Sequence, residues 1–138
     1  MLSGVRHDYY PDLLVDLRDG RRLLVEVKAR IDDFALAENV AKFAAARDYC
    51  RQLGWGFVAI TDRLAGPSDL LRREVDPRAE QELRDHLAVG PANRSRVEPL
   101  LNRYGLNHTD LAALVLRNGW FWQRSPFHLA VGSLGCAG

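Results

Sequence analysis

The sequence predicts an α/β fold, a mixed sheet flanked by helices with a small helical part at the C-terminal end. Three observations carry this. Tyr9 to Arg30 reads as two apolar strands joined by a tight turn. A helical pattern from about Phe34 to Leu53 then leads into the continuous apolar stretch Trp55–Thr61. Strand, crossover helix and strand is the order that yields a parallel pair, and an apolar run suits a strand buried beside another. After Gly90-Pro91 the pattern changes to short helical segments closed by Gly105 and Gly119. Residues 1–63 are therefore expected to form one core, 64–92 a helical connection, and 93–138 a C-terminal module.

Composition narrows the class. The chain has 138 residues, 47% of them hydrophobic, which is enough for a packed core. Its formal net charge is +1, so it lacks the overall excess of a protein that coats nucleic acid. Contact with DNA would have to come from local basic clusters. The two cysteines, Cys50 and Cys136, have no neighbours at metal-ligand spacing and read as free thiols. No apolar run approaches membrane-spanning length, and no secretory leader is visible. The expected location is cytoplasmic, associated with the nucleoid when the protein acts.

The first hairpin holds the polar residues that a strand tolerates least. Asp12 opens the first strand, and Glu26 and Lys28 lie near the end of the second. Two apart on a strand, Glu26 and Lys28 share a face, with Val25 and Val27 on the other. The turn decides whether Asp12 joins them. A two-residue Asp19-Gly20 loop would pair Arg18 with Arg21 and leave Asp12 opposite Val27. A three-residue loop, Arg18-Asp19-Gly20, pairs Leu17 with Arg21 and sets Asp12 opposite Glu26. Glycine in third place suits the latter, so the three-residue loop is expected. A slip of one residue would move every side chain to the other face.

Two carboxylates and a lysine on one face suit metal-assisted cleavage of a phosphodiester. A metal polarises the phosphate and lowers the pKa of a bound water. Mg²⁺ needs only one or two protein carboxylates, and the lysine can orient the nucleophile or offset charge developing on phosphorus. Each residue also has an ordinary reading: Asp12 as a strand start after proline, Glu26 and Lys28 as a cross-face ion pair of little energetic weight.

Pro11-Asp12 followed by Glu26-Val27-Lys28 on the next strand resembles the PD-(D/E)xK signature of restriction-endonuclease-like folds. The surrounding YYPDLLV and VEVK, the helix carrying Lys42 and ending near Cys50, and Gly54–Thr61 most resemble TnsA-type transposase endonucleases. The similarity covers roughly residues 8–62. It implies a Mg²⁺-dependent DNA endonuclease, with Mn²⁺ able to substitute, acting with transposase and regulatory protein subunits at transposon ends. Carried onto this sequence, it makes Asp12, Glu26 and Lys28 the catalytic set, with Asp12, Glu26 and the Val27 backbone as metal ligands. Asn39 and Lys42 are auxiliary candidates by position, although a solvated helix face is their ordinary role. Arg18, Arg21 and Arg22 around the turn are candidates for DNA contact, although charged hairpin tips also serve solubility. In this superfamily a further acidic residue often comes from a helix ahead of the aspartate strand. Eleven residues precede Asp12 here and Glu is absent before Glu26. The acidic set is thus expected to be completed by a longer chain or by another chain, or to be incomplete. Other readings are a restriction, repair or resolvase nuclease of the same fold, which a homodimer needing no partner proteins would favour, and a nuclease-like binding subunit that does not cut.

The remaining elements follow in order. Asp32-Asp33 suits a helix start, and Leu36, Val40, Phe43, the Arg47 stem, Cys50 and Leu53 make its expected apolar stripe. Ala65 to Ser68 reads as a loop and Asp69 to Arg73 as a short helix. Pro77 to Ala88 reads as a helix with proline in its first turn and Leu83 and Leu87 inward. Ser95–Glu98 reads as a capping box opening a helix to Tyr104. Thr109-Asp110 reads as the cap of Leu111–Asn118. Trp120–Gln123 and Pro126–Val131 read as a strand and its return, and the whole resembles a small winged-helix module. Its second helix, LAALVLRN, is apolar and poorly suited to reading bases, so packing or a protein partner is expected for it.

Overall fold

A computed structural model describes residues 12–132. Pro11 and Cys136 lie outside that range. The sheet has the order β1 (Leu13–Asp16), β2 (Arg22–Lys28), β3 (Gly56–Thr61). A 3-10 helix, Ile31–Ala35, and helix α1, Ala37–Leu53, connect β2 to β3. Helices α2 (Pro67–Leu71), α3 (Pro77–Val89), α4 (Arg94–Arg103) and α5 (His108–Asn118) follow. A hairpin of β4 (Phe121–Gln123) and β5 (His128–Ala130) ends the described chain. Among the described residues no helix is long and apolar enough to cross a membrane.

The β1–β2 turn is the three-residue loop. Gly20 sits at φ 90°, the Leu17 N–H donates to the Arg21 carbonyl at 2.8 Å, and the Gly20 N–H donates to the Leu17 carbonyl at 3.0 Å. An L side chain rarely adopts that φ, which is why glycine occupies the position. The register that follows is Leu13↔Val25, Leu14↔Leu24, Val15↔Leu23 and Asp16↔Arg22, antiparallel. On its other side β2 runs parallel to β3, with Glu26 beside Ala59 and Lys28 beside Thr61.

The helix after β2 differs from its expected outline. Residues 31–35 form a separate 3-10 turn, Leu36 is extended at ψ 135°, and α1 begins at Ala37. At the break the Asn39 side-chain amide donates to the Asp33 carbonyl at 2.9 Å, adding to the Leu36 N–H that the same carbonyl accepts at 3.2 Å. With the helix restarted, its buried residues are Asn39, Phe43, Ala46 and Cys50. The expected stripe shares only Phe43 and Cys50 with this set, and Leu53 is exposed. Gly54 closes α1 in the left-handed conformation.

One cluster of buried side chains joins Phe34, Phe43 and Ala59 to Leu70, Leu83, Leu101, Leu114, Trp122 and Leu129. Helices α2 and α3, in the segment expected as a connection, contribute Leu70, Ala79, Leu83 and Leu87 to it. Helix α2 begins at Pro67, inside the expected loop, because proline fits the first helical position. The cap residues also differ. Asn93, not Ser95, caps α4, and Asn107, not Thr109, caps α5, with Asp110 completing that capping box. Each asparagine accepts a hydrogen bond from the N–H three residues on, and this lengthens both helices toward their N-termini. Leu111 to Val115 are all buried, so the apolar stretch of α5 is core. Trp120 and Trp122 are buried as well.

Between α3 and α4, the Tyr104 hydroxyl donates to Glu82 at 2.8 Å, and Arg103 pairs with the same carboxylate. The Tyr104 hydrogen bond first, then Arg103, holds the Glu82 carboxyl below the usual range. A lowered folded-state pKa gives stability that is present above the unfolded value and lost as pH falls through the folded one. Glu82→Gln should therefore flatten the acid limb of stability against pH, with the difference from wild type vanishing below the folded pKa. Urea denaturation between neutral pH and the acid range measures this.

Candidate active site

The site is built on the carboxyl end of β2. Continuing the β1–β2 ladder by one residue places Asp12 opposite Glu26, as the loop requires. One Asp12 oxygen accepts the Val27 N–H at 2.7 Å. In an extended strand the N–H and C=O of one residue point to the same flank. The Val27 carbonyl is therefore on the flank where Asp12 sits. Glu26 and Lys28 project from the sheet face that carries Leu24 and Phe57, the face packed against Ala46 and Cys50 of α1. Their side chains are 13% and 24% exposed, a depth at which charge interactions are less screened than at the open surface.

The Lys28 ammonium lies 3.8 Å from the nearer Glu26 oxygen. That is an ion-pair separation and too long for a hydrogen bond, so the ammonium is close to the carboxylate without being consumed by it. The ammonium also sits 5.9 Å from the centroid of the Phe43 ring, which limits its swing on the α1 side. Neighbours on β3 are small: Ala59 lies beside Glu26 and Thr61 beside Lys28. The Thr61 hydroxyl is turned away, accepting the N–H groups of Arg63 (3.3 Å) and Ala65 (3.2 Å) in the turn after β3. The donor set is thus two carboxylates and one backbone carbonyl, all hard oxygens, which suits Mg²⁺ or Mn²⁺ more than a nitrogen- or sulfur-preferring metal. Among the described residues no group of three or more His, Cys, Asp or Glu converges.

The other sequence candidates fall in three places. Asn39 is buried and holds the Asp33 carbonyl, a structural task. Lys42 is half-buried next to Phe43, at the margin of the buried stripe of α1. Of the turn arginines, Arg21 pairs with Asp19 at 2.6 Å and Arg22 with Asp16 at 2.6 Å, while Arg18 is exposed. Arg22 also lies 5.2 Å from the centroid of the Trp55 ring.

One constellation beside the site has no signal in the sequence. Asp32, four residues after Lys28, is only 2% exposed and receives Arg30 at 2.8 Å and Arg124 at 3.1 Å. Arg124 also donates to Asp33 at 3.1 Å and lies 5.5 Å from the Trp122 ring centroid. The acidic pair had read as a simple helix start. Its true partner is about ninety residues away and was invisible to local patterning. A buried carboxylate demands such partners, and here they fasten the segment leaving β2 to the β4–β5 turn.

Residues 2–62 match a family model described as TnsA-like endonuclease N terminal. Comparisons with curated proteins and with solved structures gave no match. The matched span contains β1, β2, α1 and β3, with Asp12, Glu26 and Lys28 all inside it. It supports a TnsA-like nuclease over that part of the chain, and the mixed three-stranded sheet with its helices is compatible with a nuclease-like fold.

Arg124→Ala would leave Asp32 buried with Arg30 as its remaining cationic partner, and should cost about 1–3 kcal/mol in urea unfolding. Arg124→Lys should restore only part of that, because an ammonium cannot span two carboxylates as a guanidinium fork does.

Proposed function

We propose that this chain is a metal-dependent DNA endonuclease of the PD-(D/E)xK type, and that it serves as the endonuclease subunit of a heteromeric, TnsA-like transposase. The observation that carries the reading is the hairpin register, which sets Asp12 opposite Glu26 with Lys28 two residues further along the same face. The family match over residues 2–62 supports it independently.

In this reading Asp12, Glu26 and the Val27 carbonyl hold Mg²⁺, for which Mn²⁺ would substitute. When bound, the cation supplies polarisation of the scissile phosphate and a more acidic water. The protein's own residues do the rest. The Val27 N–H fixes one Asp12 oxygen, so that carboxylate is oriented before any ligand arrives. Glu26 is held by its strand and faces the same space. Lys28, kept close by Glu26 and limited by the Phe43 ring, positions the attacking water and offsets charge that develops on the phosphate oxygens. Partners would be DNA together with transposase and regulatory subunits. A winged-helix-like role for α4, α5 and the β4–β5 hairpin belongs to the same reading, as a surface for those subunits.

Calorimetric titration with Mg²⁺ and Mn²⁺ tests the metal site without needing partner proteins. Wild type should bind and Asp12→Ala should not; a wild type that binds neither ion would overturn the proposal. Lys28→Ala should keep metal binding yet lose roughly 10²-fold or more in plasmid nicking, since it removes a group needed mainly in the transition state.

A further inference from the structure

Arg21 and Arg22 at the turn are paired with carboxylates, whereas unneutralised positive charge lines two grooves in the C-terminal part of the chain. A surface groove of about 440 Å³ is bounded by the end of α3, the start of α4 and β5, and is lined by His86, Asn93, Arg96 and His128 among others. It adjoins a second groove of about 390 Å³ through Asn93, which is common to both; Arg94, Ser95 and Phe127 line the second. Among the described residues no carboxylate lines either groove.

The arginines here differ from most others in the chain. Arg21, Arg22, Arg51, Arg72, Arg78 and Arg103 each pair with an aspartate or glutamate. Among the described residues no carboxylate pairs with Arg94 or Arg96. Arg94 lies 5.9 Å from the centroid of the Phe127 ring, which holds its guanidinium along the second groove. The acids on neighbouring elements are engaged by other partners: Glu82 by Arg103 and Tyr104, although it also feels the charge of His86, Asp85 by Gln81, and Glu98 by His108. An unneutralised pair of guanidiniums with two imidazoles in a concave strip favours an anion.

From this we infer that the paired grooves at the start of α4 bind the phosphodiester backbone of DNA, with Arg94 and Arg96 as the principal contacts and His86 and His128 beside them. The inference rests on the DNA reading above and adds to it a second contact surface, separate from Asp12, Glu26 and Lys28. A polymer fits better than a single phosphate because the positive strip continues across two grooves that share Asn93. Such contacts fix position along a duplex without reading its sequence. This agrees with an α5 whose apolar residues are spent in the core. The DNA-facing surface of the C-terminal part is then the start of α4 and not α5.

The test is fluorescence anisotropy of a labelled duplex against salt, using wild type, Arg96→Ala, and the double variant Arg94→Ala with Arg96→Ala. Each phosphate contact removed lowers the slope of log affinity against log salt by about one. The double variant should therefore lose about two from the slope and bind more weakly to any sequence. Arg96→Ala makes the test robust to misfolding, because among the described residues that side chain makes no hydrogen bond or ion pair. Arg51→Ala with Arg72→Ala, an equal change of net charge elsewhere, should leave the slope unaltered. An unchanged slope in the Arg94 and Arg96 variants overturns the inference, as does a wild type that does not bind duplex at low salt. If inorganic phosphate shifts the His86 and His128 imidazole resonances while duplex does not, the groove is a site for free phosphate and the backbone assignment fails. The double variant leaves Asp12, Glu26 and Lys28 in place and should bind Mg²⁺ as wild type does, so the cleavage reading and this one fail separately.

Discussion

The β1–β2 register is the constraint on which the rest of the candidate site depends. Strand side chains alternate with period two, so an error of one residue in pairing would set Asp12 opposite Val27 and leave Glu26 without a carboxylate opposite. The register is held by a single backbone conformation, the positive φ of Gly20, and by the two short hydrogen bonds that close the loop at Leu17. Asp19 adds to this by accepting the Arg21 N–H at 3.0 Å. A conformational choice four residues past the end of β1 therefore decides which side chains meet at its other end. The parallel pairing with β3 then fixes which residues flank the site, and places two small side chains where the acidic and basic groups need room.

Packing holds this hairpin against the remainder of the chain in two ways. On the α1 side, Leu24, Ala46 and Cys50 form a small apolar cluster beneath the strand that bears Glu26. Phe43 lies between Phe34 and Phe57, with ring centroids 5.9 and 5.8 Å away, and so links that cluster to the main core. At the end of β2 the attachment is electrostatic. Asp32 is buried, which would be unfavourable alone, but it is paired with Arg30 and with Arg124, and Arg124 also bridges to Asp33. The outcome is that the residues following Lys28 are coupled to the β4–β5 turn, far away in sequence. Aromatic packing and a charged latch thus fix the orientation of the strand on both sides of the site.

Charge is arranged with similar economy. The chain is close to neutral overall, and many of its arginines are committed to carboxylates within a few residues on the same element or turn. Local pairing of this kind keeps the surface soluble and contributes little to stability. Two of the guanidiniums left without a carboxylate partner among the described residues, Arg94 and Arg96, lie at the start of α4, so a chain with a formal charge of +1 still presents a positive strip there.

Local sequence determined the elements and the heart of the site. The hairpin, its three-residue loop, the strand–helix–strand order, the helix at Pro77 and the closing glycines at Gly54, Gly105 and Gly119 follow from backbone preferences that act within a few residues. The juxtaposition of Asp12, Glu26 and Lys28 was legible for the same reason, because one turn sets it. What only the tertiary structure decided depends on partners distant in sequence. The helix breaks where Asn39 reaches Asp33, and this rotates the buried face of α1 away from the one that simple periodicity indicates. Helices α2 and α3 bury Leu70, Ala79, Leu83 and Leu87 in a core shared with Phe34 and Trp122, although their composition reads as a connection. The Asp32–Arg124 contact spans about ninety residues. Hydrophobic burial and the satisfaction of buried polar groups are sums over the whole chain, and no local window contains the terms that fix them.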